Sequence, residues 1–322
     1  MTATFVDLFS GAGLFSAGMI RAGFKPALAV EMAKDAAASY RRNVADCVVV
    51  GSVSDARKAP RAELLIAGPP CQGFSTLGRR DPTDERNELS LAILPWVRAV
   101  KPQVVIIENV PPFVASRHWA KLARKLRELK YKIVVWELEA SDYGTPQRRR
   151  RAFTVASLRD PISPPRSRGE LVSVGEVLLN DDRPLSSRDP MHVWPTPSGI
   201  AAERLPLIPR RGDRRDILAS APSLCPPSWF KIGCHATDAW GRIDPDEPAN
   251  TIRCTFQNPS KGRYIHPTEN RVLSLREGAR LQDVPDTWIF EGLPYPIARQ
   301  IGNGVPIKLA SAVARRVSNL LA

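Results

Sequence analysis

The first 156 residues alternate short apolar runs with amphipathic stretches, and this alternation constrains the fold more than any other feature of the chain. Seven apolar runs have the length and composition of strands: Thr4–Phe9, Pro26–Val30, Cys47–Val50, Glu63–Ala67, Gln103–Ile107, Ile133–Leu138 and Arg151–Ala156. Four stretches between them have helical spacing: Leu14–Gly23, Lys34–Asn43, Leu89–Val100 and Trp119–Leu129. Strands that alternate with helices form parallel sheets covered on both faces. The pattern therefore predicts an α/β fold with a Rossmann-like, doubly wound, mostly parallel sheet.

The composition changes after Leu158. Between Leu158 and Ser228, 12 of 71 residues are proline, and regular periodicity disappears. Apolar anchors within this stretch favour a smaller, loop-rich second domain over disorder: Trp194, Leu205, Leu207, Ile208, Trp229 and Phe230. Order returns near Leu273, and Val305–Leu321 has the pattern of an amphipathic helix.

Charge and cysteine content narrow the class of protein. A net charge of +13 and a pI near 9.9 favour a polyanionic partner, most simply nucleic acid, over an arginine-rich protein without one. No apolar run approaches the roughly 18 residues that span a bilayer, and the amino terminus has no basic segment, so we expect neither membrane association nor a signal peptide. Five widely spaced cysteines favour a reducing compartment. No metal is expected, because the cysteine and histidine spacing lacks the close pairs of zinc sites: Cys225, Cys234, His235 and Cys254.

A glycine-containing loop, Asp7–Gly13, follows the first predicted strand and opens the first helix. Glu31 ends the second strand, where its carboxylate can accept hydrogen bonds from two ribose hydroxyls. The pair predicts a nucleoside-containing cofactor, although a tight turn that packs helix on strand is the alternative. Ser16 replaces the third glycine of a dinucleotide fingerprint, which favours S-adenosylmethionine over NAD, with Phe9 placed to stack on adenosine.

Cys71 lies in a Pro-Pro loop, Gly68–Ser75, directly after a predicted strand. Open α/β sheets bind ligands beyond the carboxyl ends of their strands, so we interpret this thiol as a nucleophile rather than a buried apolar side chain. Glu108 follows the next strand, and desolvation there should raise its pKa and suit it to act as a general acid. A capping or salt-bridged glutamate is the alternative.

Four consecutive arginines open the last predicted strand of this region. Period-two geometry sends Arg149 and Arg151 to one face and Arg148 and Arg150 to the other. We expect Arg148 and Arg150 to be solvated or to bind phosphate.

The ordered motifs resemble those of the DNA (cytosine-5)-methyltransferase family, in the form of a bacterial modification enzyme. The resemblance spans nearly the whole chain and rests on six segments: Asp7–Gly13, Gly68–Ser75, Glu108–Val110, Gln147–Arg151, Arg271–Pro285 and Arg299–Pro306. It implies methyl transfer from S-adenosylmethionine, with S-adenosylhomocysteine as product, to C5 of a flipped-out cytosine in a short duplex DNA sequence. Cys71 would attack C6, Glu108 would bind and protonate N3, and Arg151 would bind O2 with support from Arg149.

The resemblance also implies binding residues and domain boundaries. Cofactor contacts would be Phe9, Gly11, Gly13, Leu14, Glu31, Met32, Ser52, Pro70, Leu89 and Asn303. DNA contacts would be Gln72, Ser75, Arg79, Arg80, Thr251, Lys261 and Arg263, the first four on a loop that closes over the flipped base. Six basic residues are candidates for reading bases: Arg210, Arg211, Arg214, Arg215, Lys231 and Arg253. Residues 1–160 and about 290–322 would form the catalytic domain, and about 161–289 the target-recognition domain and hinge.

One departure concerns the cofactor. Ser52 stands where the family usually has an adenine-binding aspartate, so Ser52 itself or Asp55 would have to replace it. The alternatives to DNA methylation are methylation of cytosine in tRNA and a non-catalytic DNA-binding protein with a methyltransferase fold. A dehydrogenase would leave Cys71, Glu108 and Arg151 unexplained. We expect a monomeric, cytoplasmic, nucleoid-associated bacterial enzyme whose functional partner is a cognate restriction endonuclease.

Overall fold

The computed structural model describes residues 2–55, 59–70, 85–167, 169–180, 182, 184–232, 235 and 237–321, with the backbone alone for 85–87 and 232. Its centre is a seven-stranded sheet in the order β3-β2-β1-β4-β5-β7-β6. The strands are β1 (Thr4–Leu8), β2 (Lys25–Glu31), β3 (Val48–Val50), β4 (Leu64–Ala67), β5 (Val104–Asn109), β6 (Lys132–Glu139) and β7 (Arg150–Ser157). β1 to β5 pair in parallel, whereas β7 runs antiparallel to both β5 and β6. The predicted α/β, mostly parallel sheet is confirmed.

Twelve α-helices accompany the sheet in the described part of the chain. They are α1 (Leu14–Arg21), α2 (Lys34–Asn43), α3 (Ile93–Val100), α4 (Pro111–Val114), α5 (Arg117–Glu128), α6 (Val174–Leu178), α7 (Ile200–Arg204), α8 (Arg214–Ser220), α9 (Pro227–Ile232), α10 (Leu275–Leu281), α11 (Pro294–Asn303) and α12 (Ile307–Ser318). The helix predicted over Leu89–Val100 is shorter than expected, because a 3-10 segment, Glu85–Ser90, precedes α3. None of the described helices is long and apolar enough to cross a membrane.

Side chains on the central strands alternate between two cores. Phe5 of β1 packs in the core covered by α1 and α12, whereas its neighbour Val6 packs in the core covered by α3 and α5. The same alternation holds along β4 and β5, whose described side chains are almost all inaccessible. A sheet covered on both faces needs apolar residues at every position, which explains the unbroken apolar runs in the sequence.

A third core joins the carboxyl-terminal segments to the region after Leu158. It packs Leu14 of α1 with Ile252, Phe256, Leu275 and Ile301. This core therefore contains residues from both predicted domains, and the boundaries near 161 and 289 stay a prediction.

A fourth core stabilises the proline-rich region. Leu205, Ile208 and Trp229 are buried there as the sequence predicts, whereas Phe230 is 57% exposed and is not an anchor. Arg204 stacks on Trp229 and Trp240, with its guanidinium carbon 4.7 and 5.1 Å from the ring centroids.

A buried polar network lies below the glycine loop. Ser16 Oγ donates to Asp7 Oδ2 at 2.6 Å and lies 2.9 Å from the Tyr40 hydroxyl, and all three side chains are inaccessible or nearly so. Burial raises the pKa of Asp7 to about 8, and the hydrogen bond from Ser16 opposes this rise only in part. Ser16 is therefore part of a buried hydrogen-bond network as well as the residue that replaces a fingerprint glycine, and a polar residue on the buried face of α1 was the sequence signal for this role.

We expect Gly18→Ala to destabilise the protein, because α1 and α12 touch at this position. A Cβ at Gly18 would lie 2.2 Å from Ala310 Cβ and 2.8 Å from its carbonyl carbon. The overlap should lower the free energy of unfolding by roughly 1–3 kcal/mol, exceeding the gain in helix propensity. Chemical denaturation measures the change. Gly51→Ala is the control, because a Cβ there meets nothing within 4 Å; equal stability of both variants would contradict the prediction.

We expect Asp7→Asn to remove a pH dependence of stability. Because the pKa of Asp7 is raised from 3.8 to about 8, the folded protein holds a proton that the unfolded chain releases in this window. The stabilisation is complete below the unfolded pKa and is lost as pH rises through about 8. The free energy of unfolding of the parent, relative to Asp7→Asn, should therefore fall by up to about 1.4 kcal/mol per pH unit between about pH 5 and 8. Urea titrations across this range test it, and parallel profiles would refute it.

Candidate active site

The strand order reverses between β1 and β4. From β1 the chain proceeds outward to β2 and β3, and then returns to β4 and β5 on the other side. The usual ligand site of doubly wound sheets lies outside the carboxyl ends of the two strands that flank such a reversal, here β1 and β4. The glycine loop and the Pro-Pro loop both begin at this edge.

Glu108 and Arg151 form an ion pair at this edge. Arg151 Nε lies 2.9 Å from Glu108 Oε1, and the two side chains are only 13% and 11% exposed. The pair forms because β7 is antiparallel to β5, so the beginning of β7 lies beside the end of β5. Besides being nearly buried, Glu108 is therefore in direct contact with a guanidinium. The salt-bridged alternative is thus present, and its cation is the predicted catalytic arginine.

The loop that leads to Cys71 passes beside this pair. A Cβ at Gly68 would lie 3.7 Å from Glu108 Oε2. Asn109 Nδ2 donates to the Pro69 carbonyl at 3.2 Å, which joins the loop after β4 to the end of β5. Cys71, Gln72, Ser75, Arg79 and Arg80 lie outside the described residues, and their roles stay predictions.

Glu31 closes the glycine loop. Its Oε2 accepts from the Gly11 amide and its Oε1 from the Ala33 amide, both at 2.8 Å. Gly11 has φ +56, and Phe9 has φ +60, a conformation that is costly for a residue with a side chain. Phe9 thereby ends β1 and starts the loop.

The other predicted cofactor residues differ in exposure. Leu14 is 2% exposed, so only its backbone could contact a ligand, whereas Met32 is 74% exposed. Pro70 and Leu89 are half-buried. Asn303 is exposed, and its Oδ1 accepts from the Cys254 thiol at 2.9 Å. Burial raises the pKa of Cys254, which keeps that donor protonated. Gly13 packs closely on α2, since a Cβ there would lie 2.9 Å from Tyr40 Cδ2.

A small cavity opens at the edge of β2 and β3. Its walls are mainly apolar, and Ser52 and Asp55 provide polar groups: the lining residues are Leu28, Val30, Val49, Gly51, Ser52, Asp55 and Trp96. Ser52 Oγ accepts from the Ser54 amide at 3.1 Å. The two residues expected to replace the family's aspartate therefore share one cavity.

Arg149 does not occupy the same place as Arg151. Its guanidinium is buried and donates to the carbonyls of Ile252 and Gly302 at 3.0 and 2.8 Å. These bonds connect the region after Leu158 to α11. Catalytic support by Arg149 therefore stays an untested prediction, and its contacts are those of a residue that positions the backbone. Arg148 and Arg150 are exposed and pair with Glu247 and Glu137 respectively.

The predicted DNA contacts fall into two groups. Lys261 is exposed, and Thr251 is half-buried with its hydroxyl donating to the Arg148 carbonyl at 2.8 Å. Arg263 instead uses Nη1 to donate to three carbonyls, those of Arg211, Gly212 and Arg242. Phosphate contact by Arg263 would require it to give up these bonds.

The candidates for base reading also divide. The guanidinium of Arg214 is buried and donates to the Trp229 and His235 carbonyls, so base reading by Arg214 would require it to give up these bonds. Arg210, Arg211 and Arg215 are exposed and form surface ion pairs with aspartates. Lys231 is exposed, and Arg253 is half-buried with Nη1 bonded to the Lys261 carbonyl.

Comparisons with known proteins agree with this geometry. A family model described as C-5 cytosine-specific DNA methylase matches residues 3–178 and 228–319. Type II methyltransferase M.PspPI of Psychrobacter sp. is 31% identical over 335 positions, covering 98% of this chain and 79% of that protein. Type II methyltransferase M.Eco47II of Escherichia coli is 31% identical over 332 positions, covering 99% of this chain and 79% of that protein.

A solved structure shares the fold. The Dnmt2 methyltransferase of S. pombe superposes with a TM-score of 0.71 at 18% identity, covering 99% of this chain and 100% of that one. The family match covers most of the chain and includes both the glycine loop and the Glu108–Arg151 pair. This protein therefore belongs to the C-5 cytosine-specific DNA methylase family.

Proposed function

We propose that this protein transfers a methyl group from S-adenosylmethionine to C5 of a flipped-out cytosine in a short duplex DNA sequence, through a covalent bond between Cys71 and C6. Its family methylates cytosine in DNA. The observation that carries the finer proposal is the nearly buried Glu108–Arg151 pair, beside Gly68 and at the same sheet edge as Glu31. This arrangement offers a carboxyl and a guanidinium to one ring, next to the loop that bears the thiol.

Cytosine C5 is a poor nucleophile until C6 gains a substituent. Addition of the Cys71 thiolate forms an S–C6 bond and shifts the C5=C6 π pair to C4–C5, while the C4=N3 π pair moves to N3, which takes a proton from the acid form of Glu108. The enamine carbon C5 would then take the methyl group as its bond to sulfur breaks, with S-adenosylhomocysteine as the leaving group. Loss of the C5 proton to a base, with departure of the thiolate and of the N3 proton, restores the aromatic ring.

Arg151 stabilises the negative charge that develops on O2. Its Nε is bonded to Glu108 and its Nη1 donates to the Arg150 carbonyl at 2.7 Å, so we assign Nη2 to O2. Thiolate attack on C6 is perpendicular to the ring and is blocked in a stacked base, so the target must leave the helix.

The residues present fit S-adenosylmethionine, which supplies a methyl group on a sulfonium. Each Glu31 oxygen accepts one backbone hydrogen bond and has a further lone pair for a ribose hydroxyl. Phe9 and the exposed Met32 offer apolar faces to the adenine, and Ser52 or Asp55 would accept from its amine. Asn303 would contact the cofactor from α11.

The segment from 179 to 227 lies outside the family match. It contains α7, α8 and the exposed Arg210, Arg211 and Arg215. We assign base reading to this segment, and backbone contact to Thr251 and Lys261. The predicted target-recognition domain, about 161–289, contains all of these residues.

The biological setting is also part of the proposal. The relatives named above are Type II methyltransferases. We infer a bacterial, cytoplasmic modification enzyme whose functional partner is a restriction endonuclease of the same specificity. One catalytic edge per chain suffices for one target base, which favours a monomer.

We expect Cys71→Ala to abolish methylation, because no thiolate can then activate C5. The measurement is bisulfite sequencing of DNA from methylation-deficient bacteria that express either protein. The parent should give 5-methylcytosine in one short sequence context and the variant none, while both bind S-adenosylhomocysteine equally. Cys225→Ala is the matched control, since Cys225 lies in the proline-rich region.

Two outcomes would contradict this mechanism. Methylation by Cys71→Ala at the parental rate would exclude the covalent step. Unmodified DNA from a parent that binds cofactor would exclude DNA as substrate, and methylated tRNA from the same cells would identify the alternative.

We expect Glu31→Gln to weaken cofactor binding. The neutral amide loses the charge-assisted bonds to two ribose hydroxyls, worth roughly 1.5–3 kcal/mol each, so affinity should fall at least about tenfold. Calorimetry with S-adenosylhomocysteine measures the change. Glu63→Gln is the control, because Glu63 precedes β4 at the opposite edge and accepts from Thr4. Equal affinities would exclude Glu31 as the ribose ligand.

A further inference from the structure

Gln147 is a fully buried residue that no role assigned above uses. Its Oε1 accepts from the Ile252 amide at 2.8 Å. Its Nε2 donates to the Leu281 carbonyl at 3.0 Å and to Gln282 Oε1 at 2.7 Å. Both amide hydrogens and the oxygen are thus engaged by three residues from two segments of the chain, Ile252 and the end of α10.

Two side chains from one segment, Gln147 and Arg149, bond both backbone polar groups of Ile252. Gln147 binds its N–H, and Arg149 binds its C=O at 3.0 Å. Arg151, two residues further along, pairs with Glu108. Alternate residues of an extended segment point the same way, so this one row joins the Thr251–Cys254 segment to the catalytic pair.

Gln282 extends the contact to α11. This buried residue ends α10, and its Nε2 donates to the carbonyls of Ile301 and Gly304 at 2.7 and 3.0 Å. The bonds run in one direction, from the Ile252 amide through two side-chain amides to α11. Neither amide can be reversed without setting a donor against a donor or an acceptor against an acceptor.

The end of α11 also touches the Thr251–Cys254 segment directly. A Cβ at Gly302 would lie 2.3 Å from the Cys254 nitrogen. Cys254 donates to Asn303, the proposed cofactor contact. The segment that carries Thr251 is therefore in contact with both the catalytic row and the cofactor side.

We propose that Gln147 and Gln282 form a positioning relay that fixes the Thr251–Cys254 segment relative to the Glu108–Arg151 pair. The relay rests on the proposed function, since it matters only if this segment meets the DNA that carries the target base. Two buried side-chain amides form directional hydrogen bonds, which apolar side chains of the same size cannot form. The pair therefore fixes the position and orientation of the backbone that it bonds.

The test uses Gln147→Met, Gln282→Met and the double variant, each similar in volume to the parent and unable to relay the bonds. Methyl transfer to plasmid DNA from radiolabelled S-adenosylmethionine gives kcat and KM. We expect each single variant to lower kcat/KM at least about tenfold. The double variant should have the same kcat/KM as the less active single variant, because losses are non-additive when two groups act as a unit. Bisulfite sequencing should also show methylation spreading to related sequence contexts.

Gln300→Met is the matched control. Gln300 is a buried glutamine in α11, and its side chain bonds Ser39 and the Glu291 carbonyl, both outside the Thr251–Cys254 segment. It should lower the melting temperature as Gln147→Met does, and leave kcat/KM within about twofold. If Gln147→Met does not fold, Arg149→Lys is the second variant. Lysine keeps the positive charge but can bond only one of the two carbonyls, of Ile252 and Gly302, that Arg149 bonds. We expect this variant to lose at least threefold in kcat/KM and to bind S-adenosylhomocysteine normally.

The outcomes separate this inference from the proposed function. Additive losses, or equal losses in Gln147→Met and Gln300→Met, would overturn the relay while the function stands. A parent protein that binds S-adenosylhomocysteine and methylates no DNA would overturn both.

Discussion

The antiparallel pairing of β7 with β5 is the constraint on which the site depends. In a fully parallel sheet, β7 would begin at the amino edge, far from Glu108. Because β7 runs the other way, its first residues lie at the carboxyl edge, and Arg151 meets Glu108 there. The preceding residues of the same row, Arg149 and Gln147, then reach Ile252. One reversal of strand direction thus brings together the Glu108–Arg151 pair and the Thr251–Cys254 segment.

Local pattern predicted the sheet because each strand is a short apolar run with a clear end. All seven strands were found within about two residues, and Glu31 and Glu108 lie at the strand ends that the sequence indicated. The partners of Glu108, Arg149 and Ser16 were not predictable in the same way. Each depends on residues between nine and 153 positions away, which tertiary packing alone brings together. The prediction that Phe230 is a buried anchor was wrong for a related reason: nothing in the local sequence distinguishes an exposed apolar residue from a buried one.

The arginine content has two physical uses that composition could not separate. Several guanidiniums bind backbone carbonyls inside the protein: those of Arg149, Arg204, Arg214, Arg242 and Arg263. A loop-rich region has few helix or sheet bonds to satisfy its carbonyls, and a planar group with five donors can satisfy several at once. Part of the charge of +13 therefore stabilises the proline-rich region, whereas Lys261, Arg210 and Arg215 are exposed at the surface, the latter two paired with aspartates.

The buried Asp7 has an electrostatic consequence for the proposed reaction. With its pKa raised to about 8, Asp7 is mostly uncharged at neutral pH and places no full negative charge below the glycine loop. A sulfonium loses its positive charge as the methyl group leaves. A further anion below the loop would bind the positively charged sulfonium more tightly than the neutral thioether that forms from it. The bound reactant would then be stabilised more than the transition state, and methyl transfer would be slower. In the proposed complex, keeping this carboxyl protonated would leave the cofactor bound through its ribose, at a position that does not change charge during the reaction.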